Sequence, residues 1–176
     1  MGDRTAAEPR VAVVGVGNEI MRDDGVGPQI VAELECRPAT EADEVLLYDA
    51  GTTAFLALEA MSGCERAIVV DAIRTGAEPG AIQEYRYVDG AFDGEVPEMT
   101  MHDVSFTEAL EYAREAYDLP EDVLVLGVEP ATIEPGTELS EPVDRAVPAV
   151  VDAILERLPV STSDRSTDEI LRPMDD

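Results

Sequence analysis

The chain has no lysine, no tryptophan, one histidine and two cysteines, and its 12 basic residues, all arginine, face 39 acidic ones. Each shortage excludes something. Phosphate backbones and anionic lipids are bound through clustered Lys or Arg, so a chain of formal charge −27 is not expected to bind nucleic acid or a membrane surface. Its apolar runs, such as Ala67 to Val70 and Val123 to Val128, fall far short of the ~20 residues of a membrane span. The stretch from Met1 to Arg10 is charged and lacks an apolar signal core, so a cytoplasmic protein is expected. Cys36 and Cys64 form neither a CxxC pair nor a disulfide framework, which points to a reducing compartment and plain buried thiols. No HExxH and no GxSxG occurs, so the common zinc-protease and serine-hydrolase layouts find no support. A thiolate paired with His102 finds none either, since neither cysteine follows a strand end.

What is present suits one domain. The 176 residues divide into an N-terminal tail (1–10), a single α/β domain (11–158) and a polar, acidic C-terminal tail (159–176). The acidity itself resembles halophilic composition. Crowded carboxylates repel one another in dilute buffer, and molar salt shortens the Debye length to about 3 Å and quenches that repulsion.

Apolar runs at Val11–Gly15, Val45–Tyr48, Ala67–Val70 and Val123–Val128 predict strands, the first and last with the β-branched, non-alternating character of buried parallel strands. A looser alternation from Ala81 to Val88 predicts an edge strand, followed by an exposed loop from Asp89 to Glu98. Between them fall helical stripes. Gly27–Arg37 carries Ile30, Val31 and Leu34, with Pro28 in its first turn; Thr52 or Thr53 caps a helix that turns Phe55, Leu56, Leu58 and Met61 inward. Ser105 and Glu108 form a capping box before Phe106, Ala109, Leu110, Ala113 and Tyr117. Ser140 opens a last helix, with Pro142 in its first turn, Pro148 as a predicted kink, and Val143, Val147, Val150, Ile154 and Leu158 facing the core. This alternation predicts a three-layer α/β/α fold: a mostly parallel, twisted, five-stranded sheet with helices on both faces. Ligands in such sheets bind outside the carboxyl ends of the strands.

Directly after the first strand comes Gly15-Val-Gly-Asn-Glu-Ile-Met-Arg-Asp-Asp-Gly-Val-Gly27. A dinucleotide-binding turn would need its third glycine where Ile20 stands, and its helix at once rather than near Gly27, although Asp49 could imitate a ribose-binding acid. The carboxylates suggest another chemistry. Asp24 lies in this flexible loop, Asp71 ends the third strand, and His102 lies on the loop before the third helix. Two carboxylates and an imidazole from separate loops form a plausible three-ligand metal site with open positions for substrate or water. The same residues also fit plainer roles, with Asp24 as a helix-entry acid, Asp71 as a turn cap and His102 as a surface residue.

Five blocks follow in order: Val14-Gly-Val-Gly-Asn18 with Asp23-Asp24-Gly25 and Gly27; Asp49-Ala-Gly-Thr52; Val70-Asp-Ala-Ile73; His102; and Leu126-Gly-Val-Glu-Pro130. Together they resemble the hydrogenase maturation endopeptidases, which clip a C-terminal extension from the large subunit of nickel-iron hydrogenases. The resemblance covers about Val11 to Leu158. It implies that Asp24, Asp71 and His102 contact a metal, with Asp23 as the neighbouring acid and Asn18, Asp49, Gly51 and Thr52 as supporting and substrate-binding positions. It further implies that nickel arrives within the large-subunit precursor, another divalent metal being the alternative, and that a monomer meets this partner transiently. Water activation by the metal, and by Asp23 or Asp24 as general base, both meet the demands of reach and charge. The rival functions are a nickel-sensing binding module or chaperone without hydrolysis, and a nucleotide-binding Rossmann-like protein.

The charge balance generates one prediction. The thermal unfolding midpoint rises between dilute buffer and molar KCl, as followed by circular dichroism; an unchanged midpoint discards the halophilic reading.

Overall fold

Every residue of the first strand, β1 (Val11–Gly15), is buried, which is why its sequence is uniformly apolar rather than alternating. The computed structural model describes residues 10–41, 44–94, 100–101, 104–113 and 115–159. After β1 come α1 (Val26–Glu35), β2 (Val45–Asp49), α2 (Ala54–Met61), β3 (Arg66–Ala72), β4 (Ile82–Val88) and β5 (Ala91–Phe92). Then follow β6 (Thr100–Met101), β7 (Val104–Ser105), α3 (Phe106–Ala113), β8 (Asp122–Val128) and α4 (Glu141–Leu155).

The main sheet has six strands in the order β2-β1-β3-β8-β4-β5. The first four run parallel; β4 is antiparallel to β8, and β5 is antiparallel to β4. The α/β class and the five predicted strands are present, and the sixth strand corrects the count. Its two residues sit inside the segment expected to be an exposed loop, paired to Tyr87 and Val88. A pair that short has no periodicity to read. β6 and β7 form a separate two-stranded ribbon.

Alternation along each central strand divides the core in two. Val11 and Val13, Ile68 and Val70, and Leu124, Leu126 and Val128 face α1 and α4, whereas Ala12 and Val14, Ala67 and Val69, and Val123 and Val125 face α2 and α3. On α4 the stripe Val143, Ala146, Val147, Val150, Val151 and Ile154 is buried, and each full Val or Ile side chain contributes about 1.5–3 kcal/mol. The helix continues through Pro148. On α2 the inward stripe is Ala54, Ala57, Leu58 and Met61; Phe55 and Leu56, expected to face inward, are exposed. Helix periodicity over eight residues leaves the stripe's edge poorly defined, and the small alanines occupy the packed side. Cys64 is buried as expected, but Cys36, immediately beyond α1, is exposed.

The close approach of α1 to β1 positions the rest. A Cβ at Gly15 would lie 2.4 Å from the Gly27 carbonyl oxygen, and one at Gly27 would lie 2.2 Å from that of Val16 and 2.6 Å from that of Val70. The helix start therefore rests directly on strand backbone. Gly27→Ala should lower the unfolding free energy by about 1–3 kcal/mol, the cost of overpacking a closed contact. A denaturant midpoint identical to that of the parent chain would refute this packing.

Candidate functional site

At the carboxyl ends of the parallel strands the backbone is stitched across. Ala50 N–H donates to the Gly15 carbonyl at 2.9 Å, Val16 N–H to that of Val70 at 2.8 Å and Gly17 N–H to that of Gly51 at 2.8 Å. Beyond Gly17 the chain does not enter a helix at once. It turns over the sheet edge, passes through a single 3-10 turn at Arg22–Gly25, and only then begins α1. Gly17 makes this reversal possible: its φ is +137°, and a Cβ there would lie 1.7 Å from the Asp24 carbonyl oxygen. No side chain fits.

The turn brings Asp24 back to the strand ends. Its Oδ2 accepts the Asn18 N–H at 3.0 Å, and its side chain is half-buried. Asp71, the penultimate residue of β3, is 8% exposed. Burial pushes the Asp71 carboxyl well above its ordinary range, the negative charge of Asp24 pushes it further, and the Ala72 N–H opposes them weakly. None of the described arginine salt bridges reaches either acid. Two carboxylates thus lie close enough to repel, and one of them is held where ionisation is costly.

Asp23 points elsewhere. It is fully buried, and its carboxylate accepts the N–H groups of Ala131 at 2.8 Å, Thr132 at 2.9 Å and Ser140 at 2.6 Å, and the Ser140 hydroxyl at 2.8 Å. Burial alone would raise this carboxyl; the bonds from Ser140, Thr132 and Ala131 outweigh it and hold it below the usual range. The other expected positions line the rim. Asn18 Oδ1 accepts the Ile20 N–H, and the exposed Asp49 accepts the Gly51 N–H at 2.8 Å, closing a turn in which Gly51 has φ +55°. Thr52 is half-exposed there, and Thr53 precedes α2 without a side-chain cap bond. His102 lies outside the described residues. Among the described residues no group of three or more His, Cys, Asp or Glu side chains is arranged to hold a metal ion.

One further acid received no role from the sequence. Glu129, just past the end of β8, is 5% exposed and accepts the Thr75 N–H and hydroxyl, both at 2.7 Å, and the Gly76 N–H at 3.2 Å. Burial raises its carboxyl, but the bonds from Thr75 and Gly76 prevail and lower it. It fastens the loop that follows Asp71. The signal was a lone acid directly after a buried strand, inside the block Leu126 to Pro130.

The family model described as hydrogenase maturation protease matches residues 28–157, well over half of the chain. The hydrogenase expression/formation protein HupD of Rhizobium leguminosarum bv. viciae is 30% identical over 157 residues, covering 85% of this chain and 74% of its own. The coenzyme F420 hydrogenase subunit delta of Methanothermobacter thermautotrophicus is 30% identical over 164 residues, covering 88% and 98%. Among solved structures, the hydrogenase maturating endopeptidase HybD from E. coli superposes with a TM-score of 0.70 at 27% identity, covering 88% of this chain and 99% of that one. A hydrogenase 2 maturation peptidase from a Thaumarchaeota archaeon gives 0.61 at 32% identity, covering 84% and 97%. With family model, relatives and fold in agreement, the chain belongs to the hydrogenase maturation proteases, hydrolases acting on peptide bonds.

Proposed function

We propose that this protease removes a C-terminal extension from the nickel-loaded large-subunit precursor of a nickel-iron hydrogenase, reading the precursor's metal through Asp24, Asp71 and His102. The observation that carries the reading is Asp71, a carboxyl buried beside the charge of Asp24 with no described cation to compensate it. Such a pair is destabilising alone and becomes favourable once a cation enters. Nickel in the precursor, or another divalent ion in its place, supplies that positive charge; its arrival with the substrate makes it a signal of readiness rather than a resident group.

In this reading a water attacks the scissile carbonyl, a carboxylate takes its proton, and that proton passes to the departing amine of the extension. Asp23 is fully buried and held by four donors, which favours the half-buried Asp24 over its neighbour for this step. Asn18, Asp49, Gly51 and Thr52 border the crevice where the extended peptide would lie. We place the enzyme in the cytoplasm as a monomer that meets its precursor transiently.

Two outcomes are expected. Asp24→Ala, Asp71→Asn and His102→Ala each lower cleavage of nickel-loaded precursor by roughly 100-fold or more, the scale of a lost acid–base group. Gel mobility of the precursor reads this directly, and full cleavage by all three variants ends the proposal. Asp71→Asn should also stabilise the fold. A carboxyl whose folded pKa is raised carries no penalty below its unfolded value of about 3.9 and accumulates one as pH rises through the folded value. The variant's gain in unfolding midpoint over the parent chain therefore grows from about pH 4 upward. A gain that shrinks with rising pH would contradict the burial of a reluctant acid at this position.

A further inference from the structure

Neighbouring acids in one 3-10 turn have opposite surroundings: Asp24 is half-buried and faces the crevice, whereas Asp23 is fully buried beneath it. The geometry points to Asp23, with Ser140 as its partner, as the positioning pair that fixes where Asp24 sits and so governs the rate of cleavage rather than the binding of precursor. This rests on the reading above that Asp24 acts in the cleavage step.

The turn is also held by backbone bonds and by the Arg22–Glu134 ion pair at 3.3 Å. Its backbone is tied to the segment between β8 and α4: Arg22 N–H donates to the Gly136 carbonyl at 2.9 Å, Asp23 N–H to that of Thr132 at 3.3 Å and Gly136 N–H to that of Ile20 at 3.0 Å. Met21 and Gly136 form an isolated parallel bridge. The same contact requires Arg22 to adopt φ +48°, a left-handed conformation that a non-glycine residue keeps only when its surroundings impose it. Gly136 must stay bare, since a Cβ there would lie 2.9 Å from Arg22 Cγ. A strained turn beside a reacting group calls for a fixed anchor.

Asp23 supplies the anchor. Oδ2 accepts Ala131 N–H, Thr132 N–H and the Ser140 hydroxyl, and Oδ1 accepts Ser140 N–H. Ser140 stands at the N-cap of α4, yet its hydroxyl bonds Asp23 and not the helix. The buried apolar stripe of α4 thereby holds the turn through one side chain. Four converging donors need an acceptor on each oxygen, which only an ionised carboxylate provides. An Asn here would set an NH2 donor against the Ser140 N–H, or against the three donors at the other oxygen.

Amide exchange reads the position of Asp24 without reference to peptide cleavage, because the Asn18 N–H donates to Asp24 Oδ2 at 3.0 Å. In Asp23→Asn, exchange at Asn18 should accelerate about tenfold relative to the strand amides of Val13 and Leu126, the scale of one lost hydrogen bond. Ser140→Ala, which keeps its backbone donor, should give a smaller change of the same sign, and it carries the test if Asp23→Asn does not fold. On nickel-loaded precursor, kcat should fall while KM holds. Equal acceleration at Asn18 and the strands, or none at Asn18, would reduce Asp23 to a general stabilising group and overturn the inference; so would a rise in KM with kcat intact. If the parent chain does not cleave the precursor, the protease reading fails, and the exchange ratio still decides whether Asp23 positions Asp24.

Discussion

Backbone resting on backbone at the carboxyl end of β1 is the contact on which the rest depends. Gly15 and Gly27 let α1 touch the strand, and Gly17 lets the Asp24 carbonyl lie where any side chain would stand. Strand and helix are thereby joined through a reversing loop rather than a phosphate-binding turn. Ile20 stands where a dinucleotide fold would place its third glycine, and it is 64% exposed. The crevice that a nucleotide would fill is given over to carboxylates.

Those carboxylates fall into distinct physical states. Most of the described acids are solvated, and exposed ion pairs such as Arg10 with Glu65 add little. Asp23 and Glu129 are buried but fully answered by hydrogen bonds, which keep them ionised and make them fasteners of the loops around the crevice. Asp71 is buried, and among the described residues the Ala72 N–H alone answers it. Only the last state stores a cost that binding could relieve, and cost of that kind concentrates at functional sites.

The central strands β1, β3 and β8 were legible because burial on both faces leaves a continuous apolar signature, and the long α4 because fifteen residues define a stripe. Short elements were not. Two residues of β5 carry no period, and eight residues of α2 misplaced Phe55 and Leu56. Within the candidate site, Asp24 and Asp71 could be named from their places at strand ends and from the motif blocks. The different surroundings of Asp23 and Asp24 could not, because a sequence of two equal acids says nothing about which way each side chain leaves the backbone. That depends on Ala131, Thr132 and Ser140, more than a hundred residues away.

The same alternation that builds the core decides to which side of the sheet Asp71 turns. Ala67 and Val69 pack toward α2 and α3, and Asp71 follows them two residues further on, so the pleat carries its side chain to that side of the sheet. α3 lies against α2 on this side, and its first residue, Phe106, follows His102 by four positions. The blocks at Gly15 to Gly27, Asp49 to Thr52, Val70 to Ile73 and Leu126 to Pro130 all fall at the carboxyl ends of parallel strands. His102 is the one proposed ligand outside those ends.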